Sequence, residues 1–150
     1  KDSINGLSGN SIIDTLLLVK KQIADSKTIK MDIALELSRT INIDAVDFSV
    51  LLGNAIDNAI EATEKTTKYD KVVDVNIITK NANIVMIVKN PVDKIVDTNN
   101  LITTKRKNQY HGFGLLQMKN LAQKYNGEIL LDCSETEFKT TIYLNNADNE

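Results

Sequence analysis

The sequence predicts a two-layer α/β sandwich, a mixed sheet of about five strands with about three helices on one face. Two kinds of pattern carry that reading. Five short runs are rich in β-branched and apolar residues, at 29–37, 72–79, 83–89, 128–133 and 138–144. Three longer segments repeat apolar residues at helical spacing, and polar turns separate the two kinds. Strands interleaved with helices in this way build layered α/β domains.

The elements follow in order. Ser11-Ile-Ile-Asp14 reads as a capping box opening a helix, with Ile12, Leu16, Val19 and Ile23 as its apolar stripe. Ile29, Met31, Ile33, Leu35 and Leu37 alternate and form the first strand. Asp44 or Asp47 caps a second helix that carries LLGNAIDNAIEA, residues 51–62. Lys80-Asn-Ala-Asn83 turns one β-run back on the next, and Pro91 stops that second run. About twenty polar residues with little periodicity follow, a length that compact domains keep for lids and binding loops. The third helix has the stripe Leu115, Met118, Ala122 and Tyr125, ends at Asn126-Gly127, and leads into two closing strands. The polar tail after Leu144, in particular residues 146–150, reads as flexible.

Composition narrows the function classes. The chain has 150 residues, enough for one domain that buries about 70% of its unfolded surface. A net charge of −2 gives no general attraction to nucleic acid or to an anionic membrane. One cysteine, Cys133, allows no internal disulfide and fits a reducing cytoplasm; it reads as an ordinary strand residue. No run approaches the ~20 apolar residues of a membrane span. The first residue is Lys, so the chain is expected to be part of a longer protein, with residues 1–10 as a linker.

The second helix raises the chemical question. Asn is a poor helix former, and Gly costs about 1 kcal/mol relative to Ala, yet Asn54, Asn58 and Gly53 lie together here. At 100° per residue, Leu51, Leu52, Ala55, Ile56 and Ala59 face the sheet, and the two asparagines fall on the border of that arc. Two neutral amides one turn apart suit magnesium carried on a nucleotide, which keeps most of its own ligands. Taken alone, this helix more simply suits backbone capping or contact with water. Further on, Gly112 and Gly114 precede the third helix, as in a simple turn or in a phosphate-binding one. Lys105, Arg106 and Lys107 just before them are either a solvated run or the source of a γ-phosphate contact.

Taken in order, these motifs resemble the Bergerat-fold ATPases, which include gyrase, heat-shock chaperones, histidine kinases and mismatch-repair ATPases. LLGNAIDNAIEA is similar to the N box, VKNPVD to a modified first glycine box, and YHGFGLLQMKNLAQKYNGEI to the second. The nearest resemblance is to sensor histidine kinases of the peptide-quorum-sensing type, through NAIEA, TTK, HGFGL and the opening SGNSIIDTLLLVKKQIADSK. It implies ATP and Mg2+ as ligands, with Asn54 and Asn58 at the metal. Asp57, Asn90, His111, Gly112, Phe113, Gly114 and Leu115 would contact the nucleotide, and Lys105 would be the catalytic cation of a lid over 91–111. Asn90 would stand in for the aspartate that holds the adenine amino group, and its neutral amide would select adenine less strongly.

The resemblance also implies partners: the phosphoacceptor-histidine dimerisation domain of the same sensor, and a response regulator downstream. No nucleic acid and no direct membrane contact are expected for this domain. Val50 occupies the position where the hydrolytic relatives carry a glutamate that activates water, which disfavours a hydrolase. His111, the single histidine, falls inside the second glycine box and so reads as a ligand-side residue, not the phosphoacceptor. The absent DxGxG pattern and Glu61, where other kinases carry a basic residue, leave a non-catalytic binding module as the alternative.

Overall fold

A computed structural model describes residues 4–5, 8–37, 40–101 and 114–147. The strands are β1 (Ile4–Asn5), β2 (Lys30–Glu36), β3 (Val72–Lys80), β4 (Asn83–Pro91), β5 (Glu128–Cys133) and β6 (Glu137–Asn145). The helices are α1 (Ser11–Ser26), α2 (Ala45–Lys65) and α3 (Leu115–Lys124). The sheet runs β1-β2-β3-β4-β6-β5, parallel from β1 to β3 and antiparallel from there on. Met31 and Ile33, Val73, Val75 and Ile77, and Ile84, Met86 and Val88 are buried on one face. Period-2 burial of this kind places the core on the side that the helices cover, and the two-layer sandwich expected from the sequence is the observed fold.

Ile4–Asn5, expected in a linker, instead adds a short strand against Ile33 and Ala34. Two residues carry no alternation that a pattern could reveal, but the edge of β2 offers unpaired backbone groups to any passing segment. The hairpin at Lys80–Asn83 forms as expected, with Asn81 in the left-handed region at φ 58. The end of α3 divides its work between two residues. Asn126 adopts the left-handed conformation at φ 53. Gly127 lies so close to β6 that a Cβ would sit 1.8 Å from the Tyr143 carbonyl oxygen.

Two expectations for α1 are corrected. Its cap is Asn10, whose side chain accepts from the Ile12 and Ile13 amides at 2.9 and 3.3 Å, while Asp14 reaches back to the Ser8 amide at 2.8 Å. Its buried stripe is Ile13, Leu17 and Ala24, whereas Ile12, Val19 and Ile23 are exposed. Lys20 disguises the true stripe, because it occupies a core-side position by spacing. Its stem lies beside Gly53 and its ammonium pairs with Asp57 at 2.8 Å, so an apolar stem covers the core while the charge escapes.

The tail is also corrected at Asn146. This residue is 2% exposed and bonds the Asn42 amide at 2.6 Å, the Thr40 carbonyl at 2.9 Å and the Ala82 carbonyl at 2.8 Å. Residues 148–150 lie outside the described part.

At the other side of the helical layer, Asp47 in the first turn of α2 accepts from Lys124 Nζ at 2.8 Å and from the Tyr125 hydroxyl at the end of α3. Hydrogen bonds from Lys124 and then Tyr125 hold its carboxyl below the usual range. A depressed carboxyl contributes stability above its unfolded pKa and loses it as pH falls. Asp47→Asn is therefore expected to lower stability by about 1.5 kcal/mol at neutral pH, a gap that closes in denaturation curves taken below about pH 4. A gap that did not narrow at all as the pH fell would contradict this. Gly53 gives a second test. A Cβ there would meet Leu16 and Lys20 at 3.5 and 3.7 Å, ordinary contact distances. Gly53→Ala should stabilise the fold by about 1 kcal/mol and raise Tm by about 2–4 °C; a lower Tm would show that α1 and α2 need the bare backbone.

Candidate functional site

The rotation of α2 on the sheet decides which side chains are left for function. Phe48, Leu51, Leu52, Ala55, Ile56, Ala59 and Ile60 are buried. Asn54, Asn58 and Glu61 are half-buried and Lys65 is exposed. Those four are spaced 4-3-4 and so form one stripe along the edge of the helix. Asn54 donates from Nδ2 to the Val50 carbonyl at 2.6 Å, a bond to the preceding turn that fixes the amide. Its Oδ1 accepts no hydrogen bond from the described residues, and the Asn58 side chain makes none with them.

Beside this stripe lies a cavity of about 200 Å3. Asn58, Glu61 and Lys65 come to it from α2, and Asn90, Phe138 and Thr140 from the sheet. The register explains the second group: Asn90 pairs with Phe138 and Val88 with Thr140, so these residues share the helix-facing side of β4 and β6. Ala59, Ala62, Val92, Val96 and Leu101 supply apolar wall, and Leu115 closes it from the start of α3. The volume falls short of the roughly 300–1,000 Å3 of sites that enclose a drug-sized ligand. It suits one end of an elongated ligand, such as a flat base.

Asn90 is the buried polar group of this cavity, 4% exposed. Its Nδ2 donates to the Pro91 carbonyl at 3.0 Å, which leaves Oδ1 without a donor among the described residues. The stretch expected to be a lid is anchored in its first half. Val92 N–H donates to the Thr136 carbonyl at 3.0 Å and Val96 N–H to Cys133 Sγ at 3.3 Å. Asp93 accepts from Thr66 Oγ1 at 2.5 Å and from the Thr67 amide at 3.0 Å, clasping the end of α2. The Thr66 hydroxyl and then the Thr67 amide hold the Asp93 carboxyl below its ordinary range. Residues 97–101 continue through a short 3-10 turn, Thr98–Asn100.

The structure therefore brings Asn58, Asn90 and Leu115 to one cavity, with Asn54 one turn earlier on the same stripe. Gly114 caps α3, its N–H donating to Gln117 Oε1 at 3.0 Å. The next amides of α3 have no intrahelical acceptor. Asp57 does not line the cavity; it turns toward α1 and pairs with Lys20. Lys105, His111, Gly112 and Phe113 lie outside the described residues. Lys65, Phe138 and Thr140 were not singled out from the sequence. Lys65 could have been found by extending the 4-3 spacing of Asn54, Asn58 and Glu61 by one turn, whereas Phe138 and Thr140 depend on a strand register that no local pattern reveals.

A divalent ion fits the donor set in one form. Among the described residues no three His, Cys, Asp or Glu side chains gather as a metal group, so an ion here would bring most of its ligands with it. The unpartnered Asn54 Oδ1 and the Asn58 amide match magnesium that arrives on phosphates and keeps its waters. Among the described residues no helix is long and apolar enough to cross a membrane.

Comparison with known proteins agrees with this architecture. A search of curated protein sequences finds no match. Among solved structures, the nucleotide-free catalytic domain of histidine kinase ThkA superposes with a TM-score of 0.70 at 14% identity, covering 93% of each chain. A second ThkA catalytic-domain structure gives 0.70 at 14%, covering 95% of this chain and 96% of that one. Acinetobacter baumannii histidine kinase AdeS gives 0.65 at 15%, over 91% of this chain and 66% of the AdeS chain. At such identities the likeness establishes the fold. The sequence profile described as GHKL domain matches residues 43–145, and the chain belongs to that family, a domain of the Bergerat ATP-binding fold.

Proposed function

We propose that the chain is the ATP-binding catalytic domain of a two-component sensor histidine kinase. It would hold Mg-ATP and present the γ-phosphoryl group to a histidine on a separate dimerisation domain, from which a response regulator receives it. The reading places the domain on the cytoplasmic side, in a sensor of the peptide-quorum-sensing type. The observation that carries it is the edge of α2, where Asn58 lines a cavity whose buried polar group is Asn90 and Asn54 lies one helical turn earlier on the same stripe.

Each residue has a definite task in this reading. Magnesium, when bound with the nucleotide, supplies charge neutralisation across the phosphates. Asn54, held by its bond to the Val50 carbonyl, offers Oδ1 to the ion without reorganising, and Asn58 supports it from the next turn. Asn90 Oδ1 accepts from the exocyclic amine of the base, while Val92, Leu101 and Leu115 exclude water around it. The start of α3 would offer its free amides to phosphate. Lys105 is assigned to the γ-phosphate, and His111, Gly112 and Phe113 to nucleotide contacts, by the resemblance of their motifs alone.

Transfer to an external nucleophile is favoured over hydrolysis because the α2 turn before Asn54 presents Val50, which cannot accept a proton. A carboxylate further back, Asp47, is seven residues or about 10 Å from Asn54 along the axis and is engaged by Lys124 and Tyr125. Phosphoryl transfer needs positioning and charge more than a strong base.

Calorimetry tests this directly. Mg-ATP is expected to bind, and Asn54→Ala to weaken it at least ~10-fold, about 1.4 kcal/mol, with phosphate release staying at background in both forms. Unchanged affinity in the variant would remove Asn54 from the metal. Steady phosphate release abolished by the same substitution would revive the hydrolase reading.

A further inference from the structure

We infer that the cavity accepts nucleotides of 6-oxo purines alongside those of 6-amino purines, and that Asn90 and Lys65 set this tolerance. The inference rests on the nucleotide reading of the same cavity and concerns which base enters it.

A buried base must have its polar edge matched, because an unpaired donor or acceptor keeps its full desolvation penalty. The strictness of a pocket then depends on whether its own groups can change roles. A carboxylate at position 90 would be an acceptor only, so it would require an exocyclic amine and repel a carbonyl oxygen. Asn90 carries both an acceptor and a donor on one rotatable amide. As it stands, Nδ2 is held by the Pro91 carbonyl at 3.0 Å and Oδ1 is the available group, an arrangement that favours a 6-amino purine. Turning the amide to face a 6-oxo group gives up that one neutral hydrogen bond and sets Oδ1 toward the Pro91 carbonyl, so the loss is at least the roughly 2- to 12-fold of one hydrogen bond.

Two neighbours reduce even that preference. Thr140 lines the cavity, and its hydroxyl, both donor and acceptor, has no side-chain hydrogen bond to the described residues. Lys65 lines it too, and its ammonium pairs with none of the described residues. It lies eleven residues beyond Asn54, about 16 Å along the helix. Lys65 thus shares the cavity with Asn90, far from the metal end. A lysine donates and never accepts, so at the base edge it favours an oxygen over an amine. Asn90, Thr140 and Lys65 can each donate to an oxygen at the 6-position, and Glu61, the carboxylate of the lining, already has an interaction of its own.

Inosine triphosphate is the suitable probe, because it differs from ATP only at the 6-position and in the proton this places on N1. Titration calorimetry with Mg2+ is expected to give a dissociation constant for inosine triphosphate within about tenfold of that for ATP. Asn90→Asp should widen the ratio to about a hundredfold by weakening inosine triphosphate. Lys65→Met, at an exposed position, should weaken inosine triphosphate at least threefold more than ATP, and it carries the test if Asn90→Asp does not fold by circular dichroism. An ATP preference above tenfold in the unmodified chain, or a ratio that Lys65→Met leaves unchanged, overturns the inference while the nucleotide reading stands. Failure of both nucleotides to bind removes both.

Discussion

The fixed rotation of α2 on the sheet is the constraint from which the candidate site follows. Phe48, Leu51, Leu52 and Ile56 are fully buried on the sheet side, each contributing roughly 1.5–3 kcal/mol. Turning the helix by one residue would expose part of that face and bury Asn54. The loss would far exceed the roughly 2 kcal/mol that two asparagines and a glycine take from helix propensity. The apolar face therefore sets the orientation, and the polar stripe from Asn54 to Lys65 is carried to the cavity edge as a consequence. The asparagines are tolerated because packing, not propensity, holds this helix.

Two acidic clasps keep the rest of the site in place. Asp47 joins the start of α2 to the end of α3, and Asp93 joins the end of α2 to the segment that leaves β4. Between them they tie the two ends of α2 to the end of α3 and to the segment that follows Asn90. Asp93 stands within the segment that resembles a first glycine box but lacks its glycines. The sequence there has given up backbone freedom for an anchored start, with Val92 in the cavity wall and its amide on Thr136.

The layers, the five main strands and the three helices were legible in the sequence because burial imposes periods of 2 and 3.6 on long segments. The asparagine stripe was legible for the same reason, and Asn90 through the resemblance of VKNPVD to a first glycine box. Three features were not legible, each with a physical cause. The buried side of α1 was misassigned because Lys20 puts an apolar stem in a core position while its charge reaches Asp57. The anchoring of residues 92–101 rests on single bonds to distant residues such as Thr136, Cys133 and Thr66, and Asn146 is likewise held by Asn42 and Thr40. Such contacts leave no local pattern. Gly53 was grouped with the asparagines as a sacrifice for ligand binding, but its neighbours are Leu16 and Lys20 of α1, so it belongs to helix packing.

The central claim is that the edge of α2 holds a metal ion that arrives on a nucleotide. Paramagnetic line broadening by Mn2+ reads this most directly, since it falls off steeply with distance from the ion. Substoichiometric Mn2+ added together with ATP should broaden the side-chain amide signals of Asn54 and Asn58 first and leave those of Asn42 and Asn126 sharp, with little effect from Mn2+ alone. Broadening centred elsewhere, or equally strong at Asn54 without nucleotide, would contradict the account.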